Sequence, residues 1–180
     1  LQRTTSMEVI QVKDRTKVQP DCVYVIPPNK DMSILHGVLH LLEPAAPRGL
    51  RLPIDFFLRS LAQDQQEHSI GVILSGMGSD GTLGLRAIKE KAGLVLVQEP
   101  TTARFDGMPR SAIATGLVDY ELPPEEMVAQ LMIYTSQLFD QLPQCFDLSG
   151  GRTAEEADSS VPLCAQTERF SVSGFIGGNQ

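Results

Sequence analysis

The sequence is poor in cysteine, short of positive charge and free of long apolar runs, and each shortage removes a class of function. Its three cysteines, Cys22, Cys145 and Cys164, are an odd number at wide spacing and form no CxxC pair. That pattern argues against a disulfide framework and against a zinc site, and a reducing cytoplasm is the compartment it fits. Fifteen Lys and Arg stand against 22 Asp and Glu, for a formal charge of -7 and a pI near 4.9. A nucleic-acid or anionic-lipid surface calls for a basic face, so neither is an expected partner. No stretch approaches the roughly 20 apolar residues of a membrane span, and no signal peptide is visible, so direct membrane insertion is not expected. No metal-ligand set or cofactor is legible either.

What is present is an ordinary globular composition, 42% hydrophobic and 21% charged. A chain of 180 residues can bury about 70% of its unfolded surface in one core. Apolar periodicity holds from about Met7 to Phe139 and then fades into "GGRTAEEADSSVPLCAQTERFSVSGFIGGNQ". The expectation is one domain over 1–142 and a disordered, low-complexity tail over 143–180, because such a tail buries too little to offset its ordering entropy.

Inside the domain, "CVYVIPPN" reads as a strand stopped by Pro27-Pro28. "DMSILHGVLHLL" reads as a hairpin with His36-Gly37 as its two-residue turn. That register places Met32, Ile34, Leu39 and Leu41 on one face and sets Ser33 opposite His40 on the other. In "LPIDFFLRSLAQDQ", Ile54, Phe57, Leu58 and Leu61 fall at i, i+3, i+4 and i+7, the pattern of an amphipathic helix with Pro53 near its start. Strands and helices then alternate: "IGVILS", a helix "TLGLRAIKEKAG" ended by Gly93, "LVLVQE", a short helix ended by Gly116, "LVDYEL", and a closing helix from "PPEEM". The acids of that last helix lie in its first turn, where the helix dipole favours them. Strands alternating with short helices predict βαβ units, hence a doubly wound α/β fold with a mostly parallel sheet and one β-hairpin.

Functional crevices in such sheets lie at the carboxyl ends of the strands. There the sequence places "SGMGSDG", in which Gly76, Gly78 and Gly81 have the G-x-G-x-x-G spacing of a dinucleotide turn. Glu99 follows near the end of the next strand, where a ribose-binding acid would stand. Asp80 counts against that reading, since a helix N-terminus is the site a pyrophosphate would occupy. Two like charges ~4 Å apart repel by about 4 kcal/mol at an effective dielectric of 20. The fingerprint turn would also open the first strand of its domain, whereas a strand, a hairpin and a helix precede this one. From spacing alone Asp80 is equally well an ordinary cap of the helix that follows it.

The blocks "YVIPPNKD", "LPIDFFLRSLA", "IGVILSGMGSDGTLGLRAIKEKAG", "FDGMPRSAI" and "GLVDYELPPEEM" occur in that order. Together, over Glu8 to Leu131, they resemble the catalytic domain of the chemotaxis protein-glutamate methylesterases of the CheB type. The similarity is strongest to the form found in hybrids that carry a methyltransferase. The resemblance implies a doubly wound α/β fold and hydrolysis of glutamate methyl esters to glutamate and methanol by a Ser-His-Asp triad. It implies that Asp80 is the triad acid and that Gly76, Met77, Gly78 and Ser79 form the active-site loop, with the Met77 amide a candidate oxyanion donor. It implies as partners the cytoplasmic helices of methylated chemoreceptors, with a fused methyltransferase or receiver domain in the parent protein, and it implies no cofactor. A triad acid fits a rigid turn at the crevice, because it holds the imidazole tautomer and stabilises the imidazolium.

The sequence departs from the family in one respect. The family's nucleophilic Ser and its His come before the segment that starts here, and residues 1–30 contain neither a G-x-S turn nor a histidine. The domain is therefore expected to be incomplete at its N-terminus, with Asp80 the one triad member present. His36, His40 and His68 are expected at the surface, and Ser75 and Ser79 lack a histidine in the family's position. Arg104 and Arg110 are candidates to orient a receptor carboxylate, or are surface ion-pair partners. Asp55 reads as a dipole-stabilising acid, and Cys22 as a strand residue without a catalytic role. A non-catalytic, partner-binding remnant of the same domain, or a nucleotide-binding α/β domain, are the alternatives.

Overall fold

The computed structural model describes residues 5–44, 47 and 50–140. Strand β1 (Glu8–Gln11) lies parallel to β3 (Cys22–Val25), and β2 (Thr16–Lys17) lies between them in sequence. β4 (Asp31–Leu35) and β5 (Val38–Leu42) form the hairpin, with Met32 opposite Leu41, Ser33 opposite His40 and Ile34 opposite Leu39. His36 and Gly37 have φ of 50° and 68°, the double positive φ that the right-handed twist of a two-residue hairpin demands. Asp64 reaches over from α1 (Pro53–Gln65) to accept the N–H groups of both turn residues, so the hairpin is tied to the helix.

A parallel unit follows: β6 (Ile70–Ile73), α2 (Thr82–Glu90), β7 (Leu94–Gln98), α3 (Gly107–Ile113), β8 (Tyr120–Leu122) and α4 (Pro124–Asp140). The strands run in the order β6-β7-β8 with both pairs parallel. Side chains of β7 alternate between two cores. Val95 and Val97 face Phe57, Leu58 and Leu61 of α1 and Leu85 and Ile88 of α2, while Leu94 and Leu96 face Ile70 and Met127 of α4. Helices therefore cover both faces, which makes the fold the doubly wound α/β arrangement that the alternation implied. Met32, Ile34 and Leu39 close the first core from the hairpin side.

Several local details differ from the sequence reading. β1 and β2 carry no clean alternation and were not anticipated; pairing with β3 and β5 forms them. The strands fall into three ladders rather than one continuous sheet, β1-β3, β2-β5-β4 and β6-β7-β8. α2 stops at Glu90, and the left-handed residue after it is Ala92, with φ of 60°, rather than Gly93. β8 is only three residues long. The boundary expected at 142 and the tail 143–180 lie outside the described residues.

α1 and α2 pack closely because Gly84 has no side chain. A Cβ there would lie 2.5 Å from Leu58 Cβ and 3.0 Å from its Cδ1, and Leu58 is itself buried. Gly84→Ala should therefore lower stability by about 1–3 kcal/mol through overpacking. Urea denaturation of the chain and the variant measures it, with a drop in midpoint at unchanged slope as the expected result.

Candidate active site

The loop Ser75–Gly81 leaves the carboxyl end of β6 and turns into α2. Gly81 makes this turn possible: its φ is +100°, and a Cβ would come within 2.6 Å of Ile73 Cδ1. Backbone sterics thus account for this glycine without a phosphate. The segment 103–111 holds the loop from one side. Gly76 N–H donates to Phe105 O at 2.9 Å, Met108 N–H donates to Gly76 O at 2.9 Å, and Ser111 Oγ donates to Gly78 O at 3.1 Å. Ser75 Oγ accepts the Phe105 N–H at 2.9 Å. Behind them sits Gln98, only 6% exposed. Its Oε1 accepts the Ser75 N–H at 2.8 Å, and its Nε2 donates to Thr102 O at 3.1 Å.

Asp80 is half-buried, and its carboxylate reaches across to the start of α1. Oδ2 accepts the Ile54 N–H at 3.1 Å and Oδ1 accepts the Asp55 N–H at 2.9 Å. It therefore caps α1, whose own N-cap residue Leu52 offers no side-chain acceptor. α2 starts at Thr82, and its N-cap residue Gly81 likewise offers no side-chain cap. The expectation that Asp80 caps the helix following it is thus corrected: the cap crosses to the other helix. Burial holds the Asp80 carboxyl above the ordinary carboxylate range and the Asp55 charge adds to that, while the N–H bonds from Asp55 and Ile54 pull the other way. A carboxylate has about four lone-pair positions, so two backbone donors leave capacity for an imidazole N–H.

The remaining candidates spread out around this point. Met77 is 62% exposed at the loop tip, and Ser79 is exposed, its carbonyl accepting the Thr82 N–H and hydroxyl. Arg110 is paired with Asp106 at 2.5 Å, and the Arg104 guanidinium lies 5.4 Å from the centroid of the Phe105 ring. Both arginines therefore have local partners in this state. His36 is exposed on the hairpin turn, His40 sits on β5 and His68 follows α1; none belongs to the Asp80 loop. Cys22 is a free, partly buried thiol in β3. Cys145 and Cys164 lie outside the described residues. Among the described residues no group of three or more His, Cys, Asp or Glu is placed to hold a metal, and no helix is long and apolar enough to cross a membrane.

Gln98 escapes the sequence reading, and Asp55, read there as a dipole-stabilising acid of α1, also holds the start of α2. Gln98 and Asp55 are both buried, and each acts on backbone more than 20 positions away. Nothing in their local spacing signals such bonds. The one available clue was a polar residue on an otherwise apolar face.

Residues 1–131 match the family model described as CheB methylesterase. A protein-glutamate methylesterase/protein-glutamine glutaminase of Syntrophomonas wolfei is 37% identical over 142 residues, covering 73% of this chain and 40% of that protein. A putative protein of the same description from Leptospira interrogans is 34% identical over 143 residues, covering 76% of this chain and 71% of its own length. An uncharacterised 104.1 kDa protein of Rhodobacter capsulatus is 38% identical over 177 residues, 98% of this chain but 18% of that protein. The crystal structure of the Thermotoga maritima CheB methylesterase catalytic domain superposes with a TM-score of 0.62 at 30% identity, covering 69% of this chain and 68% of that one. The chain thus spans less than half the length of several of the relatives it matches, and the fold, the order of the blocks and the matched range agree. The chain belongs to the CheB methylesterase family.

Proposed function

We propose that this chain is part of a cytoplasmic protein-glutamate methylesterase of chemotaxis signalling, and that Asp80 is the acid of its Ser-His-Asp triad. The observation that carries this reading is the Asp80 carboxylate, fixed by two α1 N–H groups at the carboxyl end of the parallel sheet. Rigid placement of that kind is what an acid orienting an imidazole requires. In the reaction a Ser Oγ adds to the ester carbonyl and the imidazole takes its proton. The imidazolium then protonates the departing methoxide, and water hydrolyses the acyl-enzyme by the same route in reverse. Asp80 accepts the imidazole N–H throughout and keeps its charge. The Met77 amide, in the loop tip, serves as an oxyanion donor. The described residues supply neither the nucleophile nor the base.

Methylated glutamates on the cytoplasmic helices of chemoreceptors are the substrate in this reading. Curated relatives are named also for protein-glutamine glutaminase activity, which would use the same residues with ammonia as the leaving group. A fused methyltransferase or receiver domain in the parent is part of the proposal, and the chain matches only 18% of a 104.1 kDa relative, which is consistent with it.

Methanol release from methylated receptor tests the proposal. A protein joining this chain to a preceding segment that bears the Ser and His should release methanol, and the 180-residue chain alone should release none above a buffer blank. No release from the joined protein overturns the methylesterase reading. Release by the chain alone overturns the placement of the nucleophile and base outside it.

A further inference from the structure

Asp55 lies in the first turn of α1 with 4% of its surface exposed. Its N–H donates to Asp80 Oδ1 at 2.9 Å, while its own Oδ1 accepts the Gly84 N–H of α2 at 2.7 Å. Gly84 is the third residue of α2, so this bond satisfies one of the donors a helix start leaves unpaired. Each of the two helices is therefore capped by a carboxylate from the other's N-terminal region. The close α1–α2 contact at Gly84 holds the two starts side by side. Asp55 Oδ2 is buried and has no hydrogen-bond partner. Leaving a buried acceptor unmet is destabilising, and a charged one more so.

We propose that Asp55 is a positioning residue for Asp80: its N–H binds the Asp80 carboxylate while its own buried carboxylate binds the Gly84 N–H, so that the two acids form a crossed pair of helix caps held side by side. The significance for catalysis rests on the reading of Asp80 as the triad acid; the crossed capping does not. Arg59 of α1 and Arg86 of α2 are exposed, Arg51 is bonded to Asp31 and Arg110 to Asp106. Asp64 binds the hairpin turn, Lys89 pairs with Asp119 and Glu90 is exposed. Arg51 Nε, like Asp55 Oδ2, is buried without a partner, but Asp55 is the one buried residue of charged type among those described.

Nuclear magnetic resonance of the whole 180-residue chain tests this without any ester hydrolysis, comparing the wild type with Asp55→Asn and Asp55→Ala. Asp55→Asn keeps an acceptor oxygen for the Gly84 N–H, so the Gly84 amide resonance should stay close to its wild-type position. The midpoint of the Asp80 carboxyl titration should move to lower pH, because a neighbouring negative charge has gone. Asp55→Ala removes the Gly84 acceptor, so hydrogen exchange at Gly84, Ile54 and Asp80-facing position 55 should quicken several-fold. If Asp55→Ala does not fold, Asp55→Asn alone decides through the titration. An unmoved Asp80 midpoint in Asp55→Asn overturns the proposal, whatever the methanol assay shows. A moved midpoint beside a failed methanol assay would keep the positioning and discard the enzymatic reading.

Discussion

Asp80→Asn should leave the chain folded and, in a protein that also carries the nucleophile and base, remove most turnover. The amide retains one acceptor oxygen, so one of the two N–H bonds from Ile54 and Asp55 survives. Losing the other costs about 1 kcal/mol, the usual worth of a cap. The chemical cost is far larger. An amide nitrogen would face the imidazole N–H it should accept, favour the wrong tautomer and leave the imidazolium without its counter-charge. The same change in a serine protease triad lowers kcat roughly 10⁴-fold, and a loss of that order is expected here. Methanol release set against urea midpoint separates the two effects. A variant that keeps more than about a tenth of the wild-type rate, with only the stability loss of a cap, would return Asp80 to a purely structural role.

The second large effect expected is self-association of the isolated chain. Among the described residues β6 has one ladder partner, β7, and β3 has one, β1. Each strand thus has a second edge with no ladder partner among those residues. β6 is largely buried, but its second edge has no ladder partner among the described residues, and Ile70, Gly71, Val72 and Ile73 carry no charge or proline to discourage pairing. Next to its end lie exposed apolar side chains: Leu74 at the strand exit, Met77 in the loop, Leu52 and Phe56 at the start of α1, and Leu83 at the start of α2. Covering such surface stabilises association by about 25 cal/mol for each Å² removed from water. Light scattering after gel filtration should show a mass that rises with concentration, and thermal unfolding should be broad and early. A monodisperse monomer with a sharp, high-temperature transition would show the unpaired strand edges to be harmless, and the expectation of an incomplete sheet would fall with it.

Much of this protein was decided by local pattern. The hairpin register follows from alternation in "DMSIL" and "VLHLL" with a turn pair that accepts two positive φ angles, and Met32, Ile34 and Leu39 are buried as that register requires. The helix over Pro53–Gln65 follows from apolar spacing and a proline at its first position. The parallel unit from β6 onward follows from alternation of strand and helix patterns. The Asp80 loop was legible because glycines bracketing an acid at a strand end have few physical uses. Short β1 and β2 were not legible, since their residues form strands only when β3 and β5 provide the ladder.

Only tertiary structure decided what the carboxylates do. Asp80 sits immediately before α2, and sequence neighbourhood favoured that helix as its target; yet it caps α1, 25 residues away. Asp55 sits in the first turn of α1 and bonds the start of α2, 29 residues away. Local spacing determines which residues can start a helix, because the pattern is read within one or two turns. Which acceptor reaches which N–H depends on how two helices meet, and that contact is set by the absence of a side chain at Gly84 against Leu58. Gln98 is a similar case, an amide in an apolar strand whose purpose appears only when the loop after β6 comes to rest on it. The sequence by itself determined the elements, their order and the position of the acid; the packing of α1 on α2 decided what holds that acid in place, because a hydrogen bond between distant segments has no period to be read.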